Sequence, residues 1–362
     1  MKRLLALFVL FAAVVPARAD ALQDRFETVW ESLWYQGGSP TQVVRWGEEI
    51  RVRIHGRNQS THRGRIMHAL GKVTTLAGVR LLDVSDAQDA EKRANLDVQI
   101  VNDLDLPDNQ ACFVRVQEIE RSLIVKAELK MRDHAVYQCV LHEAMHAIGI
   151  SGHPAGDTVL SYFYQRVDAL TELDELLVRA WYSPQMRPGM SPLAAVVVLT
   201  NAVVRAVPAG APQQRARVAQ RQFLADTLRK MEAFASNQGE VPVVLKRSGT
   251  ASSEMIAHGR TLMQFYVGVT YADGVIADKD MVKAVEWIGY AARAGLLQAQ
   301  LVLGYLYERG EGVEANASEA YVWYSMAAAQ DVPYAVESVK RVAAVMTPEE
   351  VEIARARIPP PR

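Results

Sequence analysis

Two histidines and a glutamate form the motif in the sequence whose spacing indicates a specific chemistry. Residues 140–153 read VLHEAMHAIGISGH and contain H-E-x-x-H as His142, Glu143 and His146. Four residues along an α-helix rotate it by about 400°, so both imidazoles leave one face, a turn apart, and can bind a single Zn²⁺. Glu143 lies on the flank of that face, where its carboxylate can reach a metal-bound water. The spacing therefore predicts a zinc site with Glu143 as its base.

A catalytic zinc site needs a third protein ligand, which must come from outside this motif. Gly149 is placed to end the helix in a left-handed conformation, which would turn the chain back over the metal. His153 is the preferred third ligand, and Asp157 and Glu172 are the alternatives.

The H-E-x-x-H motif and Gly149 match the pattern H-E-x-x-H-x-x-G-x-x-H position by position, so the sequence resembles the metzincin zinc peptidases. The third histidine departs from that pattern, because position 152 is Gly and His153 follows one residue late. An extra residue in a loop after Gly can be absorbed by a different turn. The resemblance implies a zinc metalloendopeptidase, a hydrolase with Zn²⁺ as cofactor and a peptide or protein as substrate.

Residues 157–162, DTVLSY, are similar to the methionine-bearing turn that follows the motif in that family. Leu160 takes the place of the methionine and can supply the same apolar floor, since the two side chains are close in volume. The resemblance implies that Tyr162 is a catalytic residue, either a further metal ligand or a hydrogen-bond donor to the oxyanion. The alternative for Tyr162 is a packed aromatic side chain.

A second resemblance covers about residues 40–190. The run from Cys139 through LHEAMHAIG to LTELDELLVRAWY looks like a family of uncharacterised exported bacterial proteins. This resemblance supports the fold and export more than it supports proteolysis.

The elements that must position the motif form a mixed sheet with a covering helix. Alternating apolar residues indicate strands at 43–46, 49–56, 95–101, 111–117 and 122–131, and a helix over 61–76. The strand at 122–131 is a candidate edge onto which an extended substrate peptide could add. Thr171 and Asp174 form a capping box that opens a later helix. The predicted fold class is an α+β metzincin-like zinc peptidase domain followed by an all-α solenoid of helix-pair repeats.

Residues 1–19 have the composition of a secretory signal peptide, with an apolar stretch too short for a membrane span. They predict an exported protein, periplasmic or extracellular, with no stable membrane anchor after cleavage. Export places Cys112 and Cys139 in an oxidising compartment, where an even count can pair fully. A Cys112–Cys139 disulfide is therefore expected, and two buried thiols are the alternative.

Past residue 258 the chain repeats itself with a period of 36 residues. The matched pairs include Gly268 and Gly304, Tyr271 and Tyr307, Gly274 and Gly310, Ala284 and Ala320, and Trp287 and Trp323. Each repeat reads as a pair of helices, the first ended by Gly274 or Gly310. The pattern resembles the Sel-one-like repeat, a relative of tetratricopeptide repeats. That resemblance implies a protein-interaction scaffold, and a merely structural C-terminal domain is the alternative.

The predicted division of the chain has five parts. They are the signal peptide at 1–19, the α+β domain at 20–190, a helical linker at 191–255, the repeats at 256–357 and a disordered tail at 358–362. The 362 residues carry 40 Lys and Arg against 41 Asp and Glu, which argues against a nucleic-acid partner.

Three functions follow from these patterns. The main prediction is an exported zinc metallopeptidase whose repeats bind a protein partner. One alternative is a non-catalytic interaction protein of the cell envelope. The other is a zinc hydrolase of a non-peptide amide.

Overall fold

The computed structural model describes most of the chain. The described residues are 16–34, 41–102, 106–107, 110–161, 169–243, 245 and 252–359. Three predictions fall wholly or partly outside them: most of the signal peptide (1–15), Tyr162, and the last part of the tail (360–362). The first described helix, α1, spans Pro16–Glu31.

A six-stranded, mostly parallel sheet forms the centre of the N-terminal domain. Its strands are β1 (Arg45–Trp46), β2 (Glu49–Gly56), β3 (Arg80–Asp83), β4 (Leu96–Val101), β5 (Cys112–Glu120) and β6 (Leu123–Arg132). The order β3-β2-β4-β6 is parallel throughout, β1 also pairs with β6 in parallel, and β5 pairs with β6 antiparallel. The predicted strands are present, and the short strand β3 is an addition.

The prediction that residues 122–131 form an edge strand is wrong. Strand β6 is flanked on both sides, by β1 and β4 on one side and by β5 on the other. Arg121 and Ser122 both have positive φ, 49° and 64°, which is the conformation of a tight hairpin turn. This turn folds β5 back along β6, so β5 lies outside β6 in the sheet. The alternation of apolar residues in β6 does not indicate which of the two strands is outermost.

The sheet packs through apolar side chains that recur at every second position of its strands. In β2 the side chains of Ile50, Val52 and Ile54 are buried, and the polar residues between them are less buried. Helix α2 (Gln59–Ala77) buries an apolar stripe that includes Ile66 and Leu70. The predicted covering helix is thus present and slightly longer at both ends.

Helices complete the N-terminal domain and continue beyond it. They are α3 (Ala90–Arg93), α4 (Val136–Ala147), α5 (Glu172–Trp181), α6 (Pro192–Ala206) and α7 (Ala211–Ala235). The predicted capping box opens α5, with Thr171 and Asp174 bonded reciprocally. Within the described ranges, no helix, the apolar α6 included, has the length and hydropathy needed to span a membrane.

The C-terminal region is a stack of helix pairs. Its helices are α8 (Ser253–Asp273), α9 (Met281–Arg293), α10 (Leu297–Arg309), α11 (Ala317–Ala328), α12 (Pro333–Ala343) and α13 (Pro348–Ala356). Gly274 and Gly310 end α8 and α10 with φ of 68° and 71°, the left-handed caps that the sequence predicts. The helical solenoid predicted for this region is therefore confirmed.

The hydrophobic core is continuous from the sheet through α6 and α7 to the first repeat helices. The ring of Phe26 in α1 lies 5.3 Å from that of Phe223 in α7, and Trp34 lies 6.4 Å from Phe234. Helix α7 therefore packs against the N-terminal domain through aromatic contacts.

Candidate metal centre

Helix α4 and the loop after it bring three imidazoles together. His142 and His146 lie one turn apart on α4, and their Nε2 atoms are 3.0 Å apart. The Nε2 atom of His153, on the loop, lies 3.1 Å from that of His142 and 2.9 Å from that of His146. Among the described residues, these three form the one group of His, Cys, Asp or Glu side chains whose ligand atoms lie close enough together to hold a metal ion.

The second nitrogen of each helix imidazole is engaged by a backbone carbonyl. His142 Nδ1 lies 2.8 Å from the Val159 oxygen, and His146 Nδ1 lies 2.6 Å from the Ile150 oxygen. Because a carbonyl only accepts, each Nδ1 carries the proton and each Nε2 presents its lone pair to the cluster.

The donor set fits zinc. Zinc takes neutral imidazole nitrogens at about 2.0–2.1 Å, and nitrogens 2.9–3.1 Å apart can all reach one point at that distance. Burial lowers the pKa values of all three imidazoles, and that of His146 falls to about 3 with a further contribution from His142. The imidazoles are therefore neutral near pH 7, which is their metal-binding form.

Two glycines explain how the late histidine reaches the cluster. Gly149 has a φ of 104°, and a Cβ there would lie 2.2 Å from the Val44 oxygen. A Cβ on Gly152 would lie 2.3 Å from the Glu31 oxygen. The loop therefore turns tightly against the segment before β1 and against α1, which accommodates the extra residue before His153.

Glu143 is a buried carboxyl group beside the imidazoles, with 4% of its surface exposed. Burial raises its pKa to about 8, and a hydrogen bond from the backbone N–H of Val114 in β5 partly opposes that rise. Its Oε2 atom is buried and has no hydrogen-bond partner among the described residues. Without a nearby cation this carboxyl group is therefore mostly protonated near pH 7, and a cation bound at the imidazoles would favour the carboxylate that a base requires.

The structure adds a residue to the site that the motif does not indicate. The carboxylate of Asp174 is fully buried and accepts hydrogen bonds from the hydroxyl of Thr158, the N–H of Val159 at 3.1 Å and the N–H of Thr171 at 2.8 Å. Val159 is also the residue whose carbonyl accepts from His142. Asp174 thus fixes the loop whose Val159 carbonyl orients the imidazole of His142.

Sequence reasoning recognised Asp174 only as a helix cap. The signal that could have found its second role is its position between Leu173 and Leu177 on the buried face of α5. A carboxylate on an apolar face needs internal partners, since burying a charge without them is costly.

The structure contains the expected disulfide between Cys112 and Cys139, with Cα atoms 6.3 Å apart. Cys112 begins β5, two residues before Val114, and Cys139 lies on α4 one turn before Glu143. The disulfide therefore ties β5 to α4 beside the contact between Val114 and Glu143.

The other candidate ligands lie elsewhere. Asp157 and Glu172 line a separate cavity of about 470 Å³ next to α1, and Glu172 pairs with Arg25 at 2.9 Å. Leu160 is fully buried in the core. Tyr162 lies outside the described residues, so its role stays a prediction.

Comparisons with known proteins identify the two halves of the chain separately. Residues 261–296 and 297–332 match the Sel1 repeat, which confirms the predicted repeat and its period. Residues 19–201 match a family described as "Protein of unknown function (DUF2927)". No metzincin identity for this half emerges from these comparisons.

Curated relatives share short stretches with the chain. The chitin synthase regulator SKT5 of Saccharomyces cerevisiae is 40% identical over 63 residues, which are 17% of this chain and 9% of that protein. The alginate biosynthesis protein AlgK of Azotobacter vinelandii is 30% identical over 86 residues, 24% of this chain and 19% of that protein. The chain thus spans less than a fifth of the length of either relative.

A solved structure, the Sel1 repeat protein from Oxalobacter formigenes, is 23% identical, with a TM-score of 0.22 over 39% of this chain and 54% of that one. The family match covers residues 19–201, which are just over half of the 362 residues. The chain therefore belongs to the DUF2927 family.

Proposed function

We propose that the N-terminal domain, residues 20–190, is a zinc-dependent hydrolase. The observation that carries the proposal is the convergence of the Nε2 atoms of His142, His146 and His153 within 3.1 Å of one another. Bound there, zinc would act as a Lewis acid and lower the pKa of water toward about 7.

The chain's own residues have distinct roles in this proposal. The three histidines hold the ion, which leaves a fourth coordination position for water or substrate, as a catalytic site requires. Glu143 is the general base: Oε2 accepts a proton from the attacking water and later donates it to the departing amine. Tyr162 remains the proposed hydrogen-bond donor to the oxyanion.

A peptide is the proposed substrate because a strand edge lies next to the site. In the described sheet β5 pairs only with β6, so the part of its other edge that Glu143 and the disulfide do not engage could accept an added strand. The N–H of Val114 in the same strand contacts Glu143. A peptide on this edge would therefore run beside the base. A non-peptide amide would use the same histidines and Glu143.

A second proposed function is protein interaction through the repeats. Sel1 repeats commonly mediate protein–protein interaction, and the Sel1-containing relatives include a regulator of an enzyme. The comparisons favour this role over proteolysis, because they associate the N-terminal domain only with a family of unknown function. Without hydrolysis, the chain would be a non-catalytic interaction protein, which we propose acts in the cell envelope after export.

Replacing Glu143 by Gln separates the two functions. We expect Glu143→Gln to retain zinc and to lower the cleavage rate of a broad peptide library by about a hundredfold or more, since general-base catalysis contributes on this scale. Glu91→Gln, an exposed change on α3, is the matched control and should cleave normally. Unchanged turnover in Glu143→Gln would refute the assigned base. A folded wild type that binds zinc but cleaves no peptide or amide would support the interaction function alone.

A further inference from the structure

A second concave surface lies far along the chain from the metal centre. It is a groove of about 1260 Å³ between the end of α7 and helices α8 and α9. Small-molecule pockets usually measure about 300–1,000 Å³, so the groove is large enough for a polypeptide segment. Its residues include neither the three histidines nor Glu143.

The groove carries more cations than anions. Its lining includes Arg229, Arg260, Lys283 and Arg293 against Glu232 and Glu286. Both carboxylates already accept a hydrogen bond, Glu232 from the hydroxyl of Tyr271 at 2.5 Å and Glu286 from that of Tyr290 at 2.9 Å. Asp226 pairs with Arg229 and Asp280 with Lys283, which leaves Arg260 and Arg293 as the cations available to a ligand.

Two of these cations have no ionic partner in the described part of the chain. Arg260 and Arg293 form none of its ion pairs, and their guanidinium groups lie over the rings of Phe234 and Tyr290, at 5.3 and 5.1 Å. The Nε atom of Arg260 is buried with no hydrogen-bond partner there. A guanidinium group stacked in this way still presents planar N–H donors suited to a carboxylate.

We infer that this groove binds an acidic segment of a partner protein. Its carboxylates would pair with Arg260 and Arg293, and its apolar side chains would contact Trp287 and Tyr290, of which Tyr290 is 41% exposed. A uniformly anionic polymer fits less well, because Glu232 and Glu286 in the same groove would repel it. The inference rests on the interaction function proposed above and is independent of zinc.

Fluorescence anisotropy with the full chain tests this inference. The probe is a short fluorescein-labelled peptide rich in Glu and Phe, compared at low ionic strength with a copy in which every Glu is Gln. We expect the wild type to bind the Glu peptide at least about tenfold more tightly than the Gln copy. The double variant Arg260→Gln/Arg293→Gln should lose about that tenfold preference.

The matched control is Arg215→Gln/Arg217→Gln, which makes the same charge change at two exposed positions on α7 outside the groove. Circular dichroism checks that both variants fold. Equal binding of the two peptides by the wild type would overturn the inference, as would equal losses in the two double variants. Tighter binding of alginate than of the peptide would overturn the assigned partner class.

One further result would refute the groove as the binding surface but would still support the proposed interaction function. If a protein partner, once identified, bound equally to the wild type and to Arg260→Gln/Arg293→Gln, the repeats would still mediate interaction and this groove would be the wrong surface.

Discussion

The metal centre and the repeats differ in the range of the contacts that build them. In the repeats, Gly274 and Gly310 serve the same purpose 36 residues apart and have nearly equal φ values of 68° and 71°. In the candidate metal centre, His153 and Val159 come from the loop after α4, and Asp174 comes from the helix that follows this loop. A single substitution should therefore abolish the function of the centre, whereas equivalent substitutions in the repeats should have similar, moderate effects.

The largest expected effect is the loss of a helix imidazole. His146→Ala removes the nitrogen that lies 3.0 and 2.9 Å from the other two, so we expect zinc affinity to fall by about a thousandfold. Competition with a chromogenic chelator measures this affinity. The control is His68→Ala, an exposed position on α2. Equal affinities in the two variants would contradict the role of His146.

Removing the disulfide tests how strongly β5 depends on a covalent contact. Cys112→Ser/Cys139→Ser opens a loop with a sequence separation of 27 residues, and the chain-entropy model gives a loss of about 3.5 kcal/mol in the free energy of unfolding. Urea denaturation measures the change. An unchanged unfolding midpoint would show that β5 and α4 are held by packing alone.

Asp174→Asn tests whether Asp174 orients the imidazole of His142 through their shared contact, Val159. The amide NH2 replaces one of the two carboxylate oxygens, so it opposes either the hydroxyl of Thr158 at Oδ1 or the N–H groups of Val159 and Thr171 at Oδ2. We expect zinc affinity to fall by about ten- to a hundredfold. Asp157→Asn, an exposed change in the same loop, should leave affinity unchanged. A variant that lost only thermal stability and bound zinc normally would assign Asp174 a purely structural role.

Paired glycine variants test the equivalence of the repeats. A Cβ on Gly268 would lie 2.6 Å from Ile288 Cγ1, and a Cβ on Gly304 would lie 2.8 Å from Tyr324 Cδ1. We therefore expect Gly268→Ala and Gly304→Ala each to lower the free energy of unfolding by about 1–3 kcal/mol. Gly71→Ala is the control, because nothing lies within 4 Å of its added Cβ and alanine favours the helix. A large effect at only one of the two glycines would contradict their equivalence.

The last prediction concerns the pH dependence of stability. Burial raises the pKa of Glu143 from its ordinary 4.5 to about 8, so the folded state binds more protons than the unfolded state between these values. The stabilisation is complete below pH 4.5 and is lost as the pH rises through 8. The melting temperature of the metal-free protein should therefore fall more steeply from pH 5 to 8 than that of Glu143→Gln. Parallel pH profiles would contradict this.

Local patterns predicted much of this structure. The spacing of His142 and His146 placed both imidazoles on one helix face, and the period of 36 residues led to the Sel1 repeats that the comparisons confirm. Thr171 and Asp174 likewise predicted the cap of α5. In each case the determining residues lie within a few turns of one another or recur at a fixed interval.

The remaining features depend on contacts between distant segments. The position of β6 inside the sheet follows from the hairpin at Arg121 and Ser122, which alternation does not reveal. The carbonyls of Ile150 and Val159 carry no side-chain signal at all, although they orient the imidazoles. Such backbone partners are visible only once the loops are folded.

The central claim is that three imidazoles of this chain hold one zinc ion. Elemental analysis of the purified full chain, dialysed against buffer containing trace zinc, measures the number of zinc ions per chain most directly. The account predicts about one zinc per chain in the wild type and almost none in His146→Ala. A folded wild type that retains no zinc, with a melting temperature unaffected by added zinc, would contradict it.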